Sequence, residues 1–223
     1  MDLTAAIKSR KMCRDFRAEP IDAAQLESLL DLARRAPSAG FSQGIEFLVL
    51  SDRGALEAYW STTLTDNSRK SFPWPGLLRA PVLVVVLVRP QAWVERYGRA
   101  DKASTGLGEG EAAWDVPYWW VDAGAVVQNL LLLAEDAGLG ALFFGLFQHE
   151  SAVLQRFGVP GDWRAVGTVA LGTPVGERVA SASVRRGARA PIADITHVGR
   201  WSRGDAHDRA DDAPERRTIE HGQ

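Results

Sequence analysis

The sequence predicts one domain of about 200 residues in which helices and strands alternate in the order αβαβαβαβ. Three observations support this prediction. Residues 81–88 (PVLVVVLV) are almost all β-branched and apolar, which is typical of a strand buried on both faces. Residues 21–36 repeat apolar side chains at helical spacing. Residues 202–223 differ sharply in composition and fall outside the domain.

The helix predicted at residues 21–36 begins with a capping box. Asp22 is its candidate N-cap, and Gln25 is the partner three residues later. Pro37 ends the helix, because the residue before a proline disfavours the α conformation. Residues 46–51 (EFLVLS) then read as a short buried strand.

The middle of the chain is less regular. Residues 52–63 have helical character, whereas the prolines and the glycine within residues 67–78 predict a loop. After the strand at residues 81–88, residues 89–118 follow no hydrophobic period, because glycines interrupt them and aromatic side chains crowd them.

A long helix is predicted at residues 121–137. It is apolar on nearly every side, so it belongs in the core or in an interface. Asp122 is its candidate N-cap, and Gly138 follows its end. The remaining elements are a strand at residues 141–144, a helix at residues 150–157 and a strand at residues 164–172.

Composition excludes several classes of function. The formal net charge is −2, so the basic surface of a nucleic-acid-binding protein is not expected. Cys13 is the single cysteine, and the four histidines lack the spacing of metal ligands, so no metal site is predicted. The apolar stretch at residues 123–134 is shorter than a membrane span of about 20 residues. The N-terminus lacks an apolar signal segment, so we expect a cytoplasmic protein without a membrane partner.

Residues 202–223 are expected to form a disordered tail. Ten of them are charged, and Ile219 is their one large aliphatic side chain. Such a segment buries too little apolar area to offset an ordering entropy of about 1–2 kcal/mol per residue. The folded domain is therefore predicted to span residues 1–201.

Two cationic clusters stand near the two ends of this domain. The motif R-K-M-C-R-D-F at residues 10–16 has three cations within five positions, and R-R-G-A-R at residues 185–189 has three more. Between them, A-P-S-A-G-F-S-Q at residues 36–43 leaves a helix and enters a strand. Each cluster alone is typical of a solvated surface. Together they suggest convergence on a dianion, because paired arginine donors suit phosphate oxygens.

These motifs, with D-A-G-A-V-V-Q-N-L-L-L-L-A-E-D-A-G-L-G at residues 122–140 and R-A-P-I-A-D-I-T-H at residues 189–197, resemble the FMN-dependent nitroreductase family. The resemblance runs over residues 6–201, and its specificity lies in the order of the motifs. It implies an α+β fold around a central, mostly antiparallel sheet flanked by helices. It also implies an intertwined homodimer with FMN at the dimer interface and NAD(P)H as co-substrate.

The resemblance also implies a role for each site residue, and it assigns no catalytic side chain because the flavin carries the reaction. For the phosphate end it assigns Arg10 and Arg189, with Arg14 near the phosphate or the flavin pyrimidine edge, backbone contacts from Lys11 and Met12, and Arg186 as a further cation. For the ring it assigns Pro37, Ser38 and Ala39 from the partner subunit, Asn67 and Lys70 at flavin N3 and O2, and backbone N–H groups of Gly145, Leu146 and Phe147 at N5 or O4.

Aromatic residues crowd the irregular part of the chain, which is where the family builds its substrate wall. The candidate wall residues are Phe41, Trp114, Trp119 and Trp120. Two interpretations stay open for the tryptophans: they pack a long insertion onto the domain, or they stack aromatic substrates over the flavin.

The function implied is transfer of hydride from NAD(P)H through flavin N5 to a small oxidised acceptor, nitroaromatic or quinone-like. Phe41 replaces an asparagine usual in the family, and Met12 replaces a serine. These departures leave two alternatives: a flavin-binding carrier or sensor that does not turn over NAD(P)H, and a specialised biosynthetic flavoenzyme. The helix at residues 121–137 is expected at the dimer interface, where changing Leu131 to Asp should weaken the dimer.

Overall fold

We describe the protein from a computed structural model that covers residues 1–176, 187 and 189–201. The chain forms two compact units, Met1–Ala180 and Ser181–Gln223. Within the described part of the second unit, Ile192–Ile195 forms one 3-10 turn, and the Thr196 hydroxyl donates to the Ile192 carbonyl at 2.7 Å. The predicted tail at residues 202–223 lies outside the described residues, and the predicted boundary at residue 201 remains a prediction.

The first unit is built on a four-stranded sheet with the strand order β1-β2-β4-β3. Its strands are β1 (Ile45–Leu50), β2 (Val82–Val88), β3 (Gly140–Phe144) and β4 (Arg164–Gly172). Each neighbouring pair is antiparallel. All four strands appear where the sequence predicts them, within one or two residues, and the α+β class is confirmed.

Helices cover both faces of this sheet. They are α1 (Leu3–Ser9), α2 (Ala23–Ala33), α3 (Arg53–Thr63), α4 (Asp66–Lys70), α5 (Gln91–Tyr97), α6 (Tyr118–Asp136) and α7 (Glu150–Arg156). Strand side chains alternate between the faces. Val82, Val84 and Val86 pack with α2 and α6, whereas Leu83, Val85 and Leu87 pack with α3 and α7.

Two segments are more regular than the sequence predicts. Residues 67–78, predicted as a loop, contain most of α4 and a 3-10 helix at Pro75–Arg79. Residues 89–118 contain α5 and three short 3-10 turns. The loop prediction for residues 67–78 was wrong in part, because the Thr65 side chain accepts the Ser68 N–H and caps a short helix that no hydrophobic period reveals.

Helix α6 begins three residues before the predicted start. Asp122 is therefore not an N-cap but a buried residue in the second turn of the helix. Leu131 also differs from expectation, since it lies in the core of the protomer against α2 and the sheet. An aspartate there would unfold the protomer and could not report on a dimer. The outward side of α6 instead carries Val121, which is exposed.

We predict that Leu131→Ala lowers the free energy of unfolding by about 2–5 kcal/mol, because it leaves a cavity in a closely packed core. Urea denaturation followed by circular dichroism measures this change. Leu132→Ala, at the neighbouring half-buried position, is the matched control and should cost clearly less. Equal losses for the two variants would contradict the orientation of α6.

Candidate functional site

The N-terminal cationic segment is held against the sheet by its backbone. The Cys13 N–H donates to the Ala141 carbonyl at 2.8 Å, and Met12 forms a parallel bridge to Ala141 at the outer edge of β3. Cys13 and Phe16 are buried on either side of Arg14. A Cβ on Gly140 would lie 2.7 Å from the Cys13 sulfur, so glycine at this position permits the close approach.

Three cations of this segment have no carboxylate partner among the described residues. They are Arg10, Lys11 and Arg14, whereas Arg17 and Arg79, nearby, pair with Glu19 and Asp15. Lys11 is exposed, and Arg10 and Arg14 are partly exposed. Guanidinium groups without a carboxylate partner have donors available to an anion. The predicted phosphate end of the site is therefore chemically suited to a phosphate.

Arg14 lies at the wall of a cavity of about 360 Å³ that we call the aromatic cavity. Its guanidinium stands 5.5 Å from the centroid of the Trp74 ring, a cation–π contact. Half of the residues that line the cavity have aromatic rings, namely Tyr59, Trp60, Phe72, Trp74, Phe143, Phe144, Phe147 and His149. Such a volume and such walls are typical of a site for a small planar ligand.

The residues that follow β3 also line the aromatic cavity. Gly145, Leu146 and Phe147 all line it, so the structure brings these three predicted residues together with Arg14. Phe147 has a positive φ of 47° and is 84% exposed. In the described residues, the backbone N–H groups of Leu146 and Phe147 have no hydrogen-bond acceptor. These N–H groups are therefore available to a ligand.

Tyr59 closes the inner end of the cavity and is fully buried. Its hydroxyl shares a hydrogen bond of 2.7 Å with the Thr168 hydroxyl on β4. Burial raises the pKa of the Tyr59 phenol far above its usual value. The phenol therefore stays neutral and serves as a structural hydrogen-bonding group.

A strained loop carries the predicted residues Pro37, Ser38 and Ala39. Phe41 and Gln43 have φ values of 58° and 54°, which non-glycine residues rarely adopt. Such strain persists only where surrounding contacts impose it.

The buried carboxylate of Asp122 imposes part of that strain. Its Oδ2 atom accepts the Ala39 N–H and the Trp93 indole N–H, each at 2.8 Å. From α5, the Arg96 side chain donates to the Gly40 carbonyl at 2.7 Å. The loop is thus fixed by α5 and α6 together.

Phe41 projects from this loop and is 75% exposed. It borders a larger, polar cleft of about 730 Å³ on the side of Arg89 and Arg96. Both arginines are paired, with Glu95 and Asp101 respectively, and they hold the pKa of each carboxyl below its usual value. The charges of this cleft are therefore largely balanced within the chain.

The three candidate tryptophans of the substrate wall separate into two groups. Trp114 and Trp119 are 7% and 5% exposed and pack edge to face at 5.8 Å with each other. Their burial favours packing, the first of the two interpretations. Trp120 is half-buried, with the Arg164 guanidinium 6.0 Å from its ring, and stays a candidate wall residue.

The remaining residues predicted to contact the flavin do not line the aromatic cavity. Asn67 and Lys70 are exposed on α4, shortly before the cavity residues Phe72 and Trp74. Arg189 is exposed in the second unit, and its predicted role stays a prediction. Arg186 lies outside the described residues.

Sequence reasoning found part of the aromatic cavity and missed the rest. Trp74 lines the cavity and Trp93 donates to Asp122 beside it, and both belong to the tryptophan-rich stretch between Asn67 and Trp120 where the sequence favours a substrate site. The cavity residue Trp60 and the role of Asp122 in fixing the loop were missed. Trp60 has no local signal, because it looks like an ordinary apolar residue of an amphipathic helix.

Comparison with known proteins gives the family of the chain. A model of the nitroreductase family matches residues 7–173. A protein of Archaeoglobus fulgidus, provisionally named NADH dehydrogenase/NAD(P)H nitroreductase, is 26% identical over 77% of this chain and 85% of its own.

Solved structures of low identity share the fold. A nitroreductase family protein from Clostridium difficile has a TM-score of 0.66 at 17% identity, covering 90% of this chain and 100% of its own. Nitroreductase A from Vibrio parahaemolyticus has a TM-score of 0.65 at 20% identity, covering 93% and 80% respectively.

The fold and the family match define an oxidoreductase of the α+β class. The chain belongs to the nitroreductase family. Among the helices that the structure describes, none is both long and apolar enough to pass through a bilayer.

We predict that Asp122→Ala frees the loop at residues 39–43. Removing a buried carboxylate that accepts two hydrogen bonds leaves two donors unpaired, at about 1–3 kcal/mol each. Chymotrypsin should then cleave after Phe41 roughly tenfold faster or more, since 1.4 kcal/mol is tenfold in an equilibrium. Cleavage is measured by mass spectrometry under native conditions.

Two variants control this experiment. Asp122→Asn keeps an acceptor oxygen and should give a smaller increase. Thr168→Val removes a buried hydrogen bond to Tyr59 that does not involve the loop, and it should leave cleavage after Phe41 unchanged. The same rate for Asp122→Ala and the unmodified protein would show that Asp122 does not hold the loop.

Proposed function

We propose that this protein is an FMN-dependent oxidoreductase that passes hydride from NAD(P)H to a small oxidised acceptor, nitroaromatic or quinone-like. The observation that carries the proposal is the junction of three unpaired cations with an aromatic cavity. Arg14 belongs to both, since it follows Arg10 and Lys11 and lines the cavity. A ligand that is dianionic at one end and planar and aromatic at the other fits this combination.

The cationic end would hold the FMN phosphate. Arg10 and Lys11 follow directly on α1, whose last residue is Ser9, and no carboxylate of the described residues neutralises them. Charge-assisted hydrogen bonds from guanidinium to phosphate are about twice as strong as neutral ones. Arg14 would extend this positive potential to the pyrimidine edge of the ring.

The aromatic cavity would hold the ring. Its walls offer aromatic faces for stacking. The unused N–H groups of Leu146 and Phe147 provide donors at the end of β3. A bound flavin supplies the hydride chemistry, and the chain contributes binding, orientation and electrostatics. A cation near the ring favours its reduced, anionic form.

The proposal includes a homodimer in which Pro37, Ser38 and Ala39 of one subunit border the ring in the other. Its support is a group of apolar side chains that the protomer leaves exposed around the start of α6. They are Val116, Tyr118 and Val121. Exposed apolar side chains that lie together are typical of an interface.

We expect the purified protein to be yellow, or to become yellow with FMN, and to bleach when NADH or NADPH is added without oxygen. Absorbance near the flavin bands is the measurement. A protein that neither contains nor takes up FMN would refute the proposal. A protein that binds FMN but stays oxidised would instead be the flavin carrier or sensor that Phe41 and Met12 leave as the alternative.

Arg10→Ala should weaken FMN binding by about tenfold to a hundredfold, because a charge-assisted hydrogen bond contributes about 1.5–3 kcal/mol. Titration of the apoprotein followed by flavin fluorescence gives the dissociation constant. Lys8→Ala is the matched control, since Lys8 is an exposed cation two residues away on α1. Equal losses of FMN affinity in the two variants would show that Arg10 contributes only positive charge and makes no specific contact with the phosphate.

Val121→Asp should lower the sedimentation coefficient to that of a monomer while the far-UV circular dichroism stays unchanged. A charge would then be buried without a partner at the interface, whereas the position is exposed in the protomer. Ala152→Asp adds the same charge at an exposed position of α7, on the opposite side of the sheet, and should leave the dimer intact. If Val121→Asp remains a dimer, the face that carries Val121 is not the dimer interface.

A further inference from the structure

The Arg14 guanidinium has an aromatic ring as its partner, the ring of Trp74, whose centroid lies 5.5 Å from the guanidinium carbon. Among the described residues, no carboxylate pairs with Arg14. Arg164 provides the contrast. It also lies beside a tryptophan, Trp120, at 6.0 Å, but the Glu150 carboxylate accepts its Nε–H at 2.8 Å. Of these two arginines beside tryptophans, Arg14 is the one whose charge is not neutralised.

The neighbouring carboxylate, that of Asp15, is held by other groups. It accepts a hydrogen bond from the Arg79 guanidinium and forms an ion pair with it. The same carboxylate packs against Gly76, where an added Cβ would overlap its Oδ1 atom. The segment that carries both Trp74 and Arg79 therefore supplies a cation to Asp15 and a ring to Arg14.

A ring and a carboxylate affect an arginine differently. A carboxylate cancels the charge, whereas the face of an indole attracts the guanidinium and leaves its net charge unchanged. An aromatic face also leaves the N–H donors in the guanidinium plane available to another partner. Trp74 thus restricts the position of the Arg14 side chain without neutralising it. Both residues line the aromatic cavity, so the charge is held at its wall.

A fixed cation has its largest effect on a ring that gains negative charge. Under the proposed function, Arg14 extends to the pyrimidine edge of the flavin, where the reduced ring is anionic and the oxidised ring is neutral. The Coulomb energy falls with distance, so the stabilisation of the anion depends on how closely the guanidinium is held. A free arginine side chain samples many rotamers, and an ordered partner limits them.

We propose that Trp74 is a positioning residue that holds Arg14 at the aromatic cavity as an unneutralised cation and thereby raises the reduction potential of the bound flavin. This inference rests on the proposed function. It gives Trp74 a role that requires no contact between its ring and the substrate. The motifs do not reveal the pair, because its two members belong to segments distant in sequence.

The test measures the midpoint potential of the FMN-loaded protein by equilibration with a reference dye. Trp74→Leu should lower this potential by about 14 to 30 mV, which corresponds to a loss of about threefold to tenfold in affinity for the reduced flavin relative to the oxidised flavin. Trp74→Tyr keeps an aromatic ring for the guanidinium and should retain most of the potential. Trp74 is 48% exposed, so the far-UV circular dichroism of both variants should stay unchanged.

A double-mutant cycle separates an effect through Arg14 from a direct effect of the ring. Arg14→Gln alone should lower the midpoint potential at least as much as Trp74→Leu does. Adding Trp74→Leu to Arg14→Gln should cause no further fall, because the cation that Trp74 holds is already absent. Titration of each apoprotein with FMN gives the affinity for the oxidised flavin, so changes in binding are separated from changes in potential.

An unchanged potential in Trp74→Leu would overturn the inference, even with weaker FMN binding, because Trp74 would then be a cavity wall without influence on the charge. An equal fall with and without Arg14→Gln would also overturn it, since the ring would act on the flavin directly. So would a fall in Trp74→Tyr as large as that in Trp74→Leu. In these cases the proposed function stands. If the unmodified protein takes up no FMN, the proposed function and the inference both fail.

Discussion

Every side chain of β2, from Val82 to Val88, is buried, so both faces of the sheet must be covered by helices. This constraint organises the molecule. It draws α2 and α6 to one face and α3 and α7 to the other. In the strand order β1-β2-β4-β3, strand β3 pairs with β4 on one side only. Its other edge forms a bridge with the N-terminal segment. The site is thus formed at the sheet edge where the core ends.

The same arrangement explains how a cationic segment and an aromatic cavity come together. Cys13 and Phe16 enter the core, and the Cys13 N–H bonds to β3, so Arg14 between them is directed to the cavity. The energy for holding the cations in place comes from apolar burial and backbone hydrogen bonds. Their charges therefore need no carboxylate for anchorage and remain available to a ligand.

Much of the fold could be predicted from the sequence, because its signals are local. The run at Val82–Val88 and the strand at Arg164–Gly172 have the composition of buried strands whatever surrounds them. Asp122 shows the limit. An aspartate near the start of an apolar run reads as an N-cap, but α6 begins at Tyr118, and the carboxylate is instead buried against Trp93. Local pattern cannot distinguish these two environments.

By itself, the sequence determined the four strands, the longer helices α2, α3 and α6, the family resemblance and the position of the N-terminal cations, since each depends on neighbouring residues. Tertiary structure alone decided which aromatic side chains pack and which line a cavity. Trp119 packs in a cluster of buried aromatic side chains, whereas Trp60 also lines the aromatic cavity, although both are tryptophans on helices. The physical reason is that a cavity wall is assembled from segments distant in sequence, and whether a donor is satisfied depends on all of them.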